Sequence, residues 1–396
     1  MTLALQAHDL IDSFPHLAKR LDKRKSEKLY RHRLARTGPQ EAELDIAGAR
    51  YLSFCSNDYL GLANHPEVVA SFAQAAQRYG LGSGGSHMIS GHCHAHQALE
   101  EELADFMGRD KALLFSNGYM ANTGVINALM EPGGLVLQDS LNHASLLDGG
   151  WLCRAESQRY PHANLEALEA MLAQSQATHQ LIVSDGVFSM DGVAADLAGL
   201  SSLAKRHKAL LMIDDAHGVG SIGDRGRGLI DSYPDLSQED VPVLVGTLGK
   251  AFGSSGAFVC GDENLIEYLV QFSRPYVYST AMPPAIAEAT RTALRIVQRD
   301  PWRRSKVQEL VMKFRRGAQG LGLELTDSVS PIQAIILGSS ERALAVSEGL
   351  RQRGLFVTAI RPPTVPVGTA RLRVTFSASH TDEHLHKLLR VLEEVC

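Results

Sequence analysis

The stretch LVGTLGKAFGSSG, residues 244–256, places a lysine directly after an apolar run and surrounds it with glycines. A phosphate-binding loop would explain such a lysine, but that loop requires the pattern G-x-x-x-x-G-K-[ST]. Leu244 stands where the pattern needs its first glycine, and Ala251 stands where it needs Ser or Thr. The nucleotide interpretation is therefore weak. The stretch instead indicates a single amine, that of Lys250, at the end of a buried strand.

The composition is that of an ordinary soluble globular protein. The chain has 396 residues, of which 44% are hydrophobic and 21% are charged, and it is long enough for a large domain and a smaller one. A net charge of -5 argues against a nucleic-acid partner. No apolar run has the length of a membrane span, and the N-terminal stretch lacks the continuous apolar core of a signal peptide. We therefore expect a cytoplasmic protein that binds neither membrane nor nucleic acid.

The cysteines are odd in number, scattered, and never in C-x-x-C spacing. This arrangement favours free thiols in a reducing compartment over a disulfide framework. The positions are Cys55, Cys93, Cys153, Cys260 and Cys396.

Three segments of the chain differ in pattern. Residues 1–60 indicate an N-terminal helical arm and a short hairpin. Residues 61–290 alternate helical patterns with the apolar runs KALLFSNG, LIVSDG, ALLMIDDAHG, VLVGTLGK and GAFVCG, which predicts a large α/β domain with a mostly parallel sheet and helices on both faces. Residues 291–396 contain PIQAIILG, RGLFVTAI, ARLRVTFS and the helical DEHLHKLLRVLEEV, which predict a smaller α+β domain.

Polar residues follow several of the predicted strands. In an open parallel sheet, ligands bind at the carboxyl ends of the strands, so these residues should meet at one rim. Taken singly, each has an ordinary explanation, such as a helix cap or a solvated charge. The residues at this rim are Asp185, Ser189, Asp214, Asp215, His217, Thr247 and Lys250, together with Gly118 and Tyr119, which open a helix whose free amides can hold an anion.

Pyridoxal 5'-phosphate (PLP) is a cofactor that uses all of these groups together. It needs a lysine for a Schiff base, a carboxylate opposite its pyridine nitrogen, and a cup for its phosphate. A carboxylate beside the protonated ring nitrogen stabilises the charge of both partners. Lys250 and Asp214 are placed for these two roles.

The motifs DDAHGVG, TLGKAFGSSG and YSTAMPP resemble the aspartate-aminotransferase-like, fold type I, PLP enzymes. More narrowly, the chain is identified as a member of the α-oxoamine synthases, acyltransferases that join an amino acid to an acyl thioester. The ordered set of motifs runs from about Leu21 to the C-terminal helix. It comprises SFCSNDYLGLANHP, GSGGSHMISG, HQALEEELADFMG, NHASLLDG, GVFSMDG and AIRPPTVPVGTARLR.

The resemblance implies catalytic roles for four residues. Lys250 would hold PLP as a Schiff base and later move the α-proton. Asp214 would pair with the pyridine nitrogen, and His217 would hydrogen-bond the phenolic oxygen. His143 would stack over the ring face opposite the lysine. The same resemblance implies cofactor contacts from Gly118, Tyr119, Ser189, Thr247, Ser279 and Thr280, the last two reaching the phosphate of the neighbouring subunit in a homodimer with shared sites.

The resemblance also implies which residues bind the substrates. Arg373 would clamp the amino-acid carboxylate, a bidentate contact that suits a planar guanidinium, and Asn57 would lie near that group. Arg31 and Thr364 would contact the acyl substrate, and His143 would also contribute to substrate binding. The motifs are most similar to the family member that acts on L-alanine and pimeloyl-CoA or pimeloyl-acyl carrier protein in biotin biosynthesis.

Two kinds of alternative stay open at this point. 2-Amino-3-ketobutyrate ligase, 5-aminolevulinate synthase and serine palmitoyltransferase share the lysine apparatus and differ mainly in their substrate pockets. A catalytically silent subunit would be expected to have lost the lysine, whereas Lys250, Asp214, His143 and His217 are all present. One departure from the family is Asp185, where Glu is usual, and we expect a local adjustment there without loss of activity.

Three further motifs have simpler explanations. GLGSGG, residues 80–85, fits a dinucleotide-binding pattern but follows a helical pattern rather than a strand, so we interpret it as a loop. HCHAH, residues 92–96, resembles a metal site, but we interpret it as a helix start with His96 and Leu99 on the packed face. The DD-x-H at 214–217 is better explained by PLP because of Lys250. We therefore expect no metal.

Overall fold

The computed structural model describes residues 14–27 and 29–396, so part of the predicted N-terminal arm lies outside the described residues. Helix α1 spans His16–Ser26 and buries none of its residues. A short strand and a hairpin follow, namely β1 (Arg36–Thr37), β2 (Glu43–Ile46) and β3 (Ala49–Ser53). Strands β2 and β3 pair in antiparallel fashion.

A seven-stranded sheet forms the centre of the molecule. In chain order its strands are β4 (Lys111–Phe115), β5 (Leu135–Asp139), β6 (Glu156–Tyr160), β7 (Gln180–Asp185), β8 (Leu210–Asp214), β9 (Val243–Thr247) and β10 (Ala257–Gly261). Their order across the sheet is β4-β10-β9-β8-β7-β5-β6. The pairs β4–β10 and β10–β9 are antiparallel, and the other four pairs are parallel. The mostly parallel sheet is confirmed. The five apolar runs quoted above are β4, β7, β8, β9 and β10.

Helices cover both faces of this sheet, as predicted. Successive side chains of a strand point to opposite faces, and on β4 Leu114 joins one buried cluster while Leu113 joins another. The first cluster includes Leu99 and Leu200, and the second includes Val125. The helices are α2 (Pro66–Tyr79), α3 (His94–Met107), α4 (Gly118–Leu129), α5 (Ala144–Leu152), α6 (Leu165–Gln174), α7 (Leu197–His207), α8 (Glu263–Phe272), α9 (Arg274–Val277) and α10 (Pro284–Arg299).

The C-terminal part has its own core, which the hairpin joins. Its elements are α11 (Trp302–Gly320), β11 (Ile332–Gly338), α12 (Ser340–Gln352), β12 (Leu355–Phe356), β13 (Thr358–Ile360), β14 (Ala370–Thr375) and α13 (Asp382–Val395). Strands β11, β14 and β13 form an antiparallel sheet, and β12 pairs in parallel with β3. None of the described helices has the length and apolarity needed to cross a lipid bilayer.

The cores suggest where the small domain begins. The predicted boundary at residue 290 falls inside α10, and Ala293 and Val297 of that helix lie in the core of the large sheet. Val307 of α11 lies in the C-terminal core together with Leu52 of β3. We therefore propose a boundary in the short turn between α10 and α11, with the hairpin packed on the small domain.

Gly253, in the loop after Lys250, packs its backbone against another segment. Its φ is +62°, and a Cβ there would meet the backbone of Leu62 and Ala63 well inside van der Waals distance. Gly253→Ala is expected to lower the free energy of unfolding by about 1–3 kcal/mol, because the left-handed backbone and the close approach both penalise a side chain. Denaturant unfolding measures this loss.

Gly249→Ala is the matched control for that substitution. A Cβ at Gly249 would have its nearest neighbour, the Ser254 carbonyl oxygen, at 3.7 Å. We expect its free energy of unfolding to stay within about 0.5 kcal/mol of the parent protein. Equal losses in the two variants would contradict the packing explanation.

Candidate active site

A cavity of about 190 Å³ lies at the carboxyl ends of β7, β8 and β9, beside the start of α4. This is the rim that the sequence predicts. Of the ten predicted cofactor positions, all except Ser279 and Thr280 line it. The lining residues are Gly118, Tyr119, Asn122, His143, Ser145, Asp185, Ser189, Asp214, Ala216, His217, Thr247 and Lys250.

The Asp214 carboxylate is held in place from two sides. Its Oδ2 accepts a hydrogen bond from Asn122 Nδ2 at 2.5 Å, and its Oδ1 accepts one from the Ala216 amide at 3.0 Å. The same Asn122 amide also donates to Ser145 Oγ at 2.8 Å. Asn122 and Ser145 were not identified from the sequence, although Ser145 lies in the quoted motif NHASLLDG, because only the packing of α4 and α5 turns them towards Asp214.

Lys250 follows β9 and brings its amine into the same cavity. Burial lowers the pKa of Lys250 to about 8, and the nearby carboxylates of Asp214 and Asp185 oppose that shift. The neutral amine is the form that attacks an aldehyde, and this pKa makes the neutral form available near neutral pH. The local environment therefore suits Schiff-base chemistry.

The two predicted histidines both line the cavity and have different hydrogen-bond partners. His217 is buried, and burial lowers its pKa well below the usual range. Its Nδ1 lies 2.7 Å from the Tyr59 hydroxyl, a contact that the sequence analysis did not anticipate. His143 Nδ1 lies 2.7 Å from Ser145 Oγ, and desolvation lowers the pKa of His143.

Asp185, the departure from the family pattern, has a clear position. Its Oδ2 accepts a hydrogen bond from the His143 backbone amide at 2.7 Å, and its own amide donates to Asn142 Oδ1 at 2.9 Å. Burial raises the pKa of Asp185 well above the usual range, and the charge of Asp214 adds to that shift. The shorter side chain thus contacts the His143 loop directly.

The start of α4 has the free backbone amides that an anion site needs. Asn117 caps the helix, because its Oδ1 accepts from the Met120 amide at 2.9 Å. The amides of Gly118 and Tyr119 come first in the helix, where no intrahelical acceptor exists, and they suit a phosphate. The space in front of Gly118 is open, since a Cβ there would meet nothing within 4 Å. An amine, a fixed carboxylate and an anion site in one cavity fit PLP.

Ser279 and Thr280 lie elsewhere, between α9 and α10, and line neither this cavity nor the one described next. Thr280 forms an isolated antiparallel bridge with Ser86. Their contact with the phosphate of a partner subunit stays a prediction.

A second cavity of about 560 Å³ adjoins the first, and the two share His143 and Ser189. The predicted acyl-binding residues Arg31 and Thr364 both line it. Arg159 and Arg371 also do so, and neither was identified from the sequence. Apolar parts of the lining come from Leu141, Leu147, Phe188, Met190, Pro363, Val365 and Pro366.

Arg373, on β14, connects the small domain to the site. Its Nε donates to the Ser189 carbonyl oxygen at 2.5 Å, and its Nη2 donates to Asn57 Oδ1 at 3.2 Å. The predicted carboxylate clamp and its predicted neighbour Asn57 are therefore in direct contact. Ser189 joins this pair to both cavities.

The other candidate motifs have structural roles. Helix α3 starts at His94, and His96 and Leu99 are buried. One ring nitrogen from each of His87, His92 and His96 lies within 4.8 Å of the other two. However, His96 Nδ1 accepts from the Cys93 amide, and its Nε2 faces the Met282 carbonyl. Both nitrogens of His96 are thus already engaged.

Asp215, the second acid of DD-x-H, also serves the fold, since its Oδ2 accepts from the Leu229 amide at 2.6 Å. Burial raises the pKa of Asp215 to about 8. The GLGSGG loop follows α2, as predicted, and all five cysteines are free thiols.

Comparison with known proteins identifies the family of this chain. The family model for aminotransferase class I and II matches residues 49–392. The 8-amino-7-oxononanoate synthase of Cellvibrio japonicus is 55% identical over 379 residues, covering 96% of this chain and 95% of that protein. The 8-amino-7-oxononanoate synthase of Saccharophagus degradans is 53% identical over 381 residues, covering 96% of each.

Solved structures confirm the fold. A serine palmitoyltransferase from S. paucimobilis with a bound PLP–myriocin aldimine has a TM-score of 0.91 at 29% identity, covering 98% of each chain. An 8-amino-7-oxononanoate synthase from Francisella tularensis has a TM-score of 0.76 at 30% identity, covering 87% of this chain and 97% of that one. The fold is common to both enzymes and does not distinguish them. The 53–55% identity to the 8-amino-7-oxononanoate synthases named above decides between the two families. The chain belongs to the 8-amino-7-oxononanoate synthases, a branch of the PLP-dependent enzymes of fold type I.

Proposed function

We propose that the protein condenses L-alanine with a pimeloyl thioester, giving 8-amino-7-oxononanoate, carbon dioxide and free thiol, in biotin biosynthesis. The thioester is pimeloyl-CoA or pimeloyl-acyl carrier protein. The observation that best supports this function is the pair of adjoining cavities. One has the amine and acid that PLP requires, the other has an apolar lining with arginines, and His143 and Ser189 belong to both.

PLP, when bound, supplies an electron sink that makes the α-carbon of an amino acid acidic. Asp214 would face the ring nitrogen, and its two hydrogen bonds keep the carboxylate from turning away. The first amides of α4 would hold the phosphate. Lys250 would attach the cofactor and then move the α-proton, since a pKa of about 8 lets its amine release and take up a proton near neutral pH.

The substrates would be oriented by residues of both domains. Arg373 offers a planar guanidinium to the alanine carboxylate, and its contacts with Ser189 and Asn57 fix its direction. In the larger cavity, the apolar lining would hold the methylene chain of the acyl group and exclude water. Arg31 and Arg159 would attract the anionic groups of the acyl donor. We further propose a homodimer in which Ser279 and Thr280 serve the partner's phosphate site.

The direct test is an assay of the purified protein with PLP and matched substrate pairs. L-Alanine with pimeloyl-CoA is expected to release free thiol and carbon dioxide in equal amounts, and Lys250→Ala is expected to abolish both. Serine with palmitoyl-CoA, glycine with succinyl-CoA and glycine with acetyl-CoA test the sister enzymes. Faster turnover of any of these pairs would overturn the proposal, and a parallel assay with pimeloyl-acyl carrier protein identifies the preferred carrier.

Arg373→Lys tests the carboxylate clamp. Lysine keeps the charge but loses the bidentate geometry, and a charge-assisted hydrogen bond is worth about 1.5–3 kcal/mol. The KM for alanine should therefore rise roughly ten- to hundredfold, while the KM for the acyl donor changes far less. Arg351→Lys, at an exposed position near the end of α12, is the control. Equal changes in the two KM values would contradict this role.

The pKa of Lys250 predicts a pH dependence that needs no cofactor. In the apoprotein, acylation of Lys250 by an amine-directed reagent requires the neutral amine, so its rate should rise with pH around a midpoint near 8 rather than the ordinary 10.5. Asp214 raises this pKa, so Asp214→Asn should move the midpoint to lower pH. Peptide mass spectrometry measures the labelling, and Asp327→Asn, at a fully exposed carboxylate, is the control. An unshifted midpoint near 10.5 would refute the assigned environment.

A further inference from the structure

Tyr59 has no assigned role, yet its hydroxyl reaches the active site. The side chain is completely buried, and its oxygen lies 2.7 Å from Nδ1 of His217. His217 is itself buried and lines the small cavity. Since Nδ1 faces Tyr59, Nε2 is the ring nitrogen left for the cavity.

The Tyr59 hydroxyl has two further neighbours. It lies 3.2 Å from Asn57 Oδ1, and the same Asn57 oxygen accepts a hydrogen bond from Arg373 Nη2 at 3.2 Å. The Arg373 side chain also hydrogen-bonds the Tyr59 oxygen, and this contact opposes the rise in the pKa of Tyr59 that burial causes. Contacts therefore run without interruption from the guanidinium of Arg373 through Asn57 and Tyr59 to the imidazole of His217. The direction of the Tyr59 hydroxyl proton determines which groups in this series of contacts donate and which accept.

A neutral imidazole has one N–H, so its two nitrogens take opposite roles. If Tyr59 donates to His217 Nδ1, the ring proton sits on Nε2, and Nε2 is a donor towards the cavity. If Tyr59 donates to Asn57 instead, His217 must give its Nδ1–H to the tyrosine oxygen, and Nε2 becomes an acceptor. Burial keeps His217 neutral by lowering its pKa, so one of these two arrangements must hold.

Three observations favour donation to His217. The contact of 2.7 Å is shorter than the 3.2 Å contact to Asn57. The Asn57 oxygen already accepts from a charged donor, Arg373. Burial raises the pKa of Tyr59 to about 12, so the hydroxyl keeps its proton and remains a donor.

We propose that Tyr59 is a positioning residue whose hydroxyl donates to Nδ1 of His217 and thereby holds Nε2–H as a donor towards the cofactor cavity. The phenolic oxygen of PLP, in its deprotonated form, would accept a hydrogen bond from such a donor. Only the identity of this acceptor, an oxygen of PLP, rests on the proposed function. The tautomer itself can be observed without any substrate.

The first test is ¹⁵N NMR of the holoenzyme labelled at its histidine rings, with the His217 signals assigned by their loss in His217→Gln. The expected result is an unprotonated, hydrogen-bonded Nδ1 and a protonated Nε2. A protonated Nδ1 would overturn the proposal. Because no substrate is present, failure of the alanine–pimeloyl assay would leave this result unaffected.

Two variants separate the two possible acceptors. Asn57→Ala removes the competing acceptor, so Nδ1 of His217 should stay unprotonated, whereas a change in tautomer would show that Tyr59 had donated to Asn57. Tyr59→Phe keeps the ring in the core, and Nδ1 should then take the chemical shift of a nitrogen without a hydrogen bond. PLP should dissociate about two- to tenfold more readily from this variant, as expected for the loss of one oriented hydrogen bond.

Tyr268→Phe is the matched control for Tyr59→Phe. It also removes one tyrosine hydrogen bond, that from Tyr268 to the Ala128 carbonyl at 3.2 Å, but away from the cavities. It should leave the His217 signals and the affinity for PLP unchanged. An unchanged Nδ1 signal in Tyr59→Phe would refute the role of Tyr59. If that variant does not fold, the parent protein and Asn57→Ala still decide the question.

Discussion

Asp214 and Lys250 follow neighbouring parallel strands, and the rest of the site is arranged around their opposite charges. Strand β8 ends at Asp214 and β9 runs beside it, so a lysine shortly beyond β9 brings its amine to the same rim. Burial alone would disfavour the charge of Lys250, but each carboxylate near it supports the ammonium form. Asn122 and the Ala216 amide then fix the acid, so the charge at this rim has a defined position.

The small domain completes a site that the large sheet cannot form alone. Arg373 and Thr364 come from the C-terminal part, whereas Asn57 and Tyr59 come from the segment just after the hairpin. These N- and C-terminal parts are tied together, because β3 pairs with β12 and the Thr375 amide donates to the Phe54 carbonyl at 2.8 Å. The Arg373–Ser189 hydrogen bond then joins this unit to the rim of the large sheet.

The sequence was most informative where burial determines the pattern. Fully buried strands such as β8 and β9 appear as continuous apolar runs, and the residues that follow them could be placed at one rim. Strand β6 is an edge strand with four exposed residues, Glu156–Arg159, so it gives no apolar signal. Asn122 and Tyr59 could not be identified because their roles depend on which face of a helix or loop packs towards the rim. The predicted contact of Ser279 and Thr280 with a phosphate depends on a second subunit, so the burial pattern of one chain carries no signal for it.

The shared wall between the two cavities has a consequence for inhibitor design. His143 and Ser189 border both spaces, so an amino-acid analogue and an acyl analogue would sit on either side of the same two residues. A single compound that joins both parts would lose translational and rotational freedom only once, whereas two separate ligands lose it twice. Linking the two halves therefore favours affinity beyond that of either half, provided that the linker passes His143 without displacing it from Ser145.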